Sequence, residues 1–220
     1  MRKGASAVKD LFDPEKPVMQ VLGILSDFIL LNLLFVLLCL PVVTAGAAAA
    51  ALNAAMHYYY DTRSVSRLER FWRTFRASFR TAVAGQLIFL LAGAVLAADA
   101  LFLLSTRFAG QGVAFALLFA AAAVWLAEAG WTFQVLAAQP GLTLRPALAR
   151  AWKLAFARLP ETLTGLVLAL APLAVLFIPM GWLYGYVLLM GLAGFSILAY
   201  IQARILLRRV WPPESGDEAL

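Results

Sequence analysis

The chain has 220 residues, 63% of them apolar or aromatic and only 14% charged, with 18 Lys and Arg against 12 Asp and Glu for a formal net charge of +6. A soluble domain holds about half apolar and a quarter charged residues, so this composition, with its mean hydropathy of +0.85, cannot cover a surface facing water. It excludes a large soluble domain and, for most of the length, a disordered chain.

The elements follow in chain order. Residues 1–20 are polar and mixed in charge, and Asp13-Pro14 and Lys16-Pro17 limit helix before the first span. Residues 21–40 form an uninterrupted apolar run closed by Pro41, too long for the 7 to 15 residues of a signal-peptide core and therefore read as a retained span. Residues 42–60 are apolar but dominated by Ala and Gly, ending in His57 and Tyr58-Tyr59-Tyr60. Tyrosines suit a membrane interface, and the segment fits either a span or a hairpin that loops back.

Residues 66–80 read as an amphipathic helix. At 100° per residue Leu68, Phe71, Trp72, Phe75 and Phe79 share one arc, whereas Arg63, Arg67, Arg70, Arg73, Arg76 and Arg80 lie outside it, as in a helix resting on headgroups. Spans at 82–104 and 112–136 follow, joined by a link containing Arg107. A second basic helix occupies 144–159, with Thr143 as its cap, Pro146 in its first turn and a stripe of Leu148, Trp152, Ala155, Phe156 and Leu159. Arg150, Lys153 and Arg158 lie off that stripe. Pro160-Glu161 opens a new helix, the acid at the positive end of its dipole, and spans at 162–178 and 182–203 complete the chain.

The fold class expected is thus all-α: a polytopic integral membrane bundle of about six transmembrane helices plus two amphipathic helices on the cytoplasmic face. A single membrane domain, 21–205, lies between a cytoplasmic segment, 1–20, and a cytoplasmic tail, 206–220. Charge supports this layout. With the N-terminus inside, seventeen of the eighteen Lys and Arg residues face the cytoplasm and Arg107 alone does not. Basic residues placed between apolar spans act as topology signals and contacts for anionic lipid, so no nucleic-acid partner is implied. A basic helix followed by two spans occurs twice, with Trp72-Arg73 matching Trp152-Lys153, a weak parallel echo.

Signatures of soluble enzymes are missing. There is no phosphate-cradling Gly-rich loop, no His-Glu-x-x-His and no Gly-x-Ser-x-Gly elbow. Cys39 is the single cysteine and His57 the single histidine, which excludes an internal disulfide and a histidine-rich metal site. The expectation is a protein that is not an enzyme and holds no cofactor. Intramembrane polar residues are the remaining candidates, because a buried carboxylate needs pairing, hydrogen bonding or water. Asp27, with Asn32 nearby, reads as a helix-helix contact. Asp99 reads as a structural partner of Arg107. Glu128 reads either as a proton relay or substrate contact, or as an acceptor for Gln134, Gln86 or Asn53. Ala47 to Ala51, Gly93, Gly191 and Gly194 read as positions of close helix packing. Candidates for lipid or partner contact are Arg67, Arg70, Phe71, Trp72, Arg73, Phe75, Arg76, Phe79, Arg150, Trp152 and Lys153.

Asn32-Leu33-Leu34-Phe35, then Cys39-Leu40-Pro41-Val42-Val43-Thr44-Ala45-Gly46-Ala47-Ala48, then Phe71-Trp72 and Phe75-Arg76-Ala77-Ser78-Phe79 resemble the YesL-like family, a domain of unknown function (number 624). The specific portion covers about 12–81; beyond it only the hydropathy layout agrees. The resemblance implies a small bacterial multispan protein of the inner membrane, without assigned catalytic residues, accessory to carbohydrate uptake, with a sugar ABC-transporter permease as partner. The alternative from the residues themselves is a small secondary transporter using an intramembrane carboxylate. Substrate and oligomeric state are not written in the sequence.

Overall fold

A computed structural model describes residues 17–57 and 66–209, and all regular structure among them is helical. Helix α1 is Pro17–Cys39 and, after a 3-10 turn at Val42–Thr44, α2 is Ala45–His57. The long α3, Arg67–Ser105, leads to α4, Gln111–Ala138. Helix α5 is Leu144–Ala157, and α6, Leu159–Leu170, continues as a 3-10 segment through Ala171–Phe177. Helix α7, Met180–Leu189, is joined by a π-helical turn, Met190–Gly194, to α8, Phe195–Arg209. The Tyr58-Tyr59-Tyr60 cluster, Arg63, the first sixteen residues and the tail from Val210 lie outside the described residues.

Among the described residues, four stretches are long and apolar enough to cross a membrane: Arg67–Ser105, Gln111–Ala138, Leu159–Leu176 and Met180–Ile205. Their outward faces carry apolar side chains such as Leu91, Phe119, Leu176 and Tyr184, each more than two-thirds exposed, a surface that suits hydrocarbon and not water. The molecule is an all-helical membrane bundle. Two shorter apolar helices, Gly23–Cys39 and Val42–His57, belong to it.

The Ala-rich segment is the centre of that bundle. Helix α2 has 13 residues, about 20 Å at 1.5 Å per residue, short of the roughly 30 Å of a hydrocarbon layer. Nine of those 13 residues are buried, and α1, α3, α4 and α8 all pack on it. Ala47 and Ala50 share a core cluster with Ala82, while Ala55 and Met56 share one with Phe71, so α2 runs antiparallel to the first half of α3. It therefore returns toward the Arg67 end from which α1 departs. Weak lipid affinity of Ala is immaterial here, because small side chains let four helices approach one axis. Gly46 shows the tightest case: a Cβ there would lie 2.5 Å from the Phe133 ring.

Several sequence expectations change. The basic helix at 66–80 and the span at 82–104 are one 39-residue helix, about 58 Å long, since nothing near Thr81 breaks it; Ser66 caps it by accepting from the Glu69 N–H at 3.2 Å. Most of its aromatic arc packs on protein: Phe71, Thr74 and Ser78 are fully buried, and Leu68, Trp72 and Phe75 lie against the same core, while Phe79 stays exposed. The stripe expected on α5 is rotated. Ala147, Ala151 and Ala155 face inward, Leu148 is partly buried, and Trp152, Phe156 and Leu159 face outward. Thr143 sits at the N-cap of α5 without a side-chain cap bond. The two Trp-basic pairs consequently occupy different settings, one on a helix continuous with its span and one on a helix that ends before its span, so the internal echo has no structural counterpart there.

The expected single span at 162–178 changes character at Ala171 because Pro172 has no N–H to continue the ladder. The Tyr186 hydroxyl donates to the Ala171 carbonyl at 2.6 Å. The span at 182–203 begins at Met180 and contains the π turn. Gly93 does allow close packing, of the Trp125 ring, but a Cβ on Gly191 would meet open space, so that glycine is not a packing position.

Candidate functional site

Residues of α2, α4, α6 and α8 line a half-open cavity of about 120 Å³. Its polar lining comes from Asn53 of α2, Gln134 of α4, Glu161 and Thr162 of α6 and Gln202 of α8, and its apolar lining includes Leu126, Leu166 and Trp131. One wall is fixed by hydrogen bonds. The Trp131 indole N–H donates to Thr162 Oγ1 at 2.9 Å, and that hydroxyl lies 2.9 Å from the Ala155 carbonyl and 2.8 Å from the Arg158 carbonyl. It thus satisfies the end of α5 and locks the corner from which α6 leaves.

Gln134 is the unusual member. It is 1% exposed and lies against the His57 side chain, its hydrogen-bonding neighbour, with Arg70 close to that histidine. Gln202 lies over Gly165, where a Cβ would come within 3.2 Å of Nε2. Glu161, 7% exposed, also borders an outer cleft of about 420 Å³ between α6 and α8, with Thr164, Tyr200 and Arg204. Among the described residues no three His, Cys, Asp or Glu side chains converge as a metal would need.

The residues singled out from sequence separate into different places. Asp27 forms an ion pair with Arg67 at 2.6 Å, tying α1 to the start of α3. Asn32 is fully buried: its Nδ2 donates to the Met190 and Gly191 carbonyls at 3.0 and 2.6 Å, and its Oδ1 accepts from the Ser196 N–H at 3.0 Å. These are the groups that the π turn displaces from the regular ladder, so Asn32 acts as its clamp. Asn53 lines the cavity, and His57 lies against Gln134.

Asp99 is exposed and makes no ion pair with Arg107, contrary to the expected pairing. Glu128 does not bond Gln134, Gln86 or Asn53, and its Oε2 is buried without a partner among the described residues. Six residues apart at 100° each, Glu128 and Gln134 diverge by about 120° around α4, which is why the acid is not in the cavity lining.

Of the contact candidates, Phe71 is wholly buried and Arg67 is engaged with Asp27, so both are structural. Arg70 and Trp72 are half-buried, and the Arg76 guanidinium sits 6.0 Å from the Trp72 ring centroid. Arg73, Arg76 and Phe79 are exposed, with Phe75 packed beneath. On α5, Arg150 donates to Gln139 Oε1, while Trp152 and Phe156 form a ring pair at 4.8 Å, each about half exposed beside exposed Lys153.

Sequence reasoning missed the convergence of Gln134, Glu161 and Gln202. The available signal was a carboxamide within each of two apolar helices, but nothing in the order of residues places those positions together.

Residues 28–100 match the family described as Protein of unknown function, DUF624. The match covers α1 from Phe28, all of α2 and most of α3, beginning later and ending later than the portion on which the resemblance to the YesL-like family rests. That resemblance holds over this segment. No curated protein and no solved structure matches the chain.

Proposed function

We propose that this chain is an accessory component of a bacterial carbohydrate-uptake system, a multi-pass protein of the inner membrane with both termini and its basic segments on the cytoplasmic side. The observation that carries the reading is the outward-facing Trp152-Phe156 pair beside Arg150 and Lys153. Helix α5 is anchored through Ala147, Ala151 and Ala155 against α4, so the aromatic pair is displayed on a fixed support and not used to hold the helix down. Exposed aromatic and Arg side chains on rigid elements are the usual anchors of protein partners. The family resemblance supplies the partner class, a sugar permease subunit. The distribution of basic residues supports the orientation.

A transport role for the chain alone finds less support, because Glu128 turns away from the cavity lined by Gln134. Mild-detergent extraction of the tagged full chain from native membranes, followed by mass spectrometry, tests the proposal. Recovery of a sugar-permease subunit, reduced at least fivefold by Trp152→Ala/Phe156→Ala with unchanged expression, is the expected result. Recovery of no transporter component, together with solute flux into vesicles holding only this protein, would overturn it.

A further inference from the structure

We infer that the cavity between α2, α4, α6 and α8 is a binding site for a small neutral polyol, a ligand of three or four hydroxylated carbons. The site stands apart from the α5 surface and goes beyond the accessory reading.

The chemistry follows from the donor and acceptor inventory. Asn53, Gln134 and Gln202 are carboxamides, each offering both an acceptor oxygen and donor N–H groups. A hydroxyl is likewise donor and acceptor, so a run of hydroxyls can satisfy carboxamides in either sense. An anion finds no Lys, Arg or His in the lining and would face Glu161. The volume of about 120 Å³ is several times the roughly 10–15 Å³ of comparable space that a single water needs, so it is far more than one bare metal ion fills and admits a small organic ligand. Leu126, Leu166 and the Trp131 ring supply apolar surface for C–H groups, the mixture of apolar wall and few convergent polar atoms that marks ligand pockets.

Two further observations point inward. Gln134 is 99% buried at this wall beside His57, so the fold sets a carboxamide between that histidine and the cavity. Glu161 borders both this cavity and the outer cleft that includes Thr164, Tyr200 and Arg204, which gives a water-soluble ligand a polar approach between α6 and α8.

The test uses the full chain in nanodiscs, purified without glycerol, with erythritol and glycerol as probes and saturation-transfer NMR as the readout. Wild-type protein transfers saturation to both polyols. Gln134→Met lowers that transfer at least tenfold, and Glu128→Gln, which lies off the lining, leaves it unchanged. If Gln134→Met fails to fold, Gly165→Ala serves instead: its Cβ presses on Gln202 Nε2 and weakens transfer at least threefold. No transfer above empty nanodiscs, meaning a cavity that holds water only, overturns the inference, as does transfer indifferent to both variants. Failure here leaves the α5 docking result intact, and failure of the pull-down leaves this one intact, since Trp152 and Phe156 are not in the lining.

Discussion

Replacing Asn32 by Leu should destabilise the bundle by about 2–5 kcal/mol. The exchange keeps the number and branching of side-chain heavy atoms, so it removes hydrogen bonds without opening a cavity, while its bulkier methyl groups add some strain. Three are lost, to the Met190 and Gly191 carbonyls and from the Ser196 N–H. Interhelical hydrogen bonds within membranes average about 0.6 kcal/mol and reach about 1.7, which brackets the sum. The Ser196 N–H lies where the π turn ends and loses its Asn32 acceptor, and a stranded buried donor costs about 1–3 kcal/mol by itself, so the upper half of the range is expected. Unfolding in mixed micelles, followed by tryptophan fluorescence across an SDS titration, measures the loss. Hydrogen exchange at 190–196 reads the local effect, which should rise at least tenfold in the variant. Asp99→Asn, on an exposed side chain, is the control and should stay within about 0.5 kcal/mol. A loss for Asn32→Leu below about 1 kcal/mol, with exchange at 190–196 unchanged, would show that the turn is held by something other than this clamp.

Other consequences are equally direct. Gly46→Ala drives a Cβ into the Phe133 ring and should cost about 1–3 kcal/mol in the same titration, with Phe133→Leu restoring at least half; an unaffected single variant would refute the close approach. Asp27→Asn should cost no more than about 1 kcal/mol, because the pair with Arg67 is partly open to solvent, and the difference should shrink in high salt; a larger, salt-insensitive loss would place the pair in a dry interior. Single cysteines at Arg73 and Arg150, on a Cys39→Ser background, should react with an impermeant maleimide only from the cytoplasmic side, and one at Arg107 only from the opposite side; labelling of all three from one side would break the proposed topology. Ala51→Leu, at the fully buried face of α2, should lower stability by at least about 1 kcal/mol, and tolerance of that change would mean α2 is not enclosed.

Much of the architecture is legible in the residues because lipid imposes a strong rule: backbone groups must bond within the segment, so long apolar stretches become helices. The membrane class, the boundaries near Pro41 and Pro160, and the Ser66 start are local properties. Helix α5 shows where such reasoning stops. A periodic pattern locates an apolar face, but whether Ala or Trp turns inward depends on what lies opposite, and α4 accepts the Ala147, Ala151 and Ala155 edge. The same limit separated Glu128 from Gln134 and let Asp99 stand apart from Arg107.

Composition and charge pattern by themselves determined that this polypeptide dissolves in hydrocarbon as helices and carries its cations in clusters between them, because transfer free energy adds residue by residue. Only the tertiary arrangement decided that the Ala-rich helix is sheathed by four neighbours, that Asn32 caps a turn 158 residues away, and that three carboxamides from three helices face one small cavity. Those outcomes depend on which surfaces meet, and packing against a distant segment is a property of pairs of helices that no single stretch encodes.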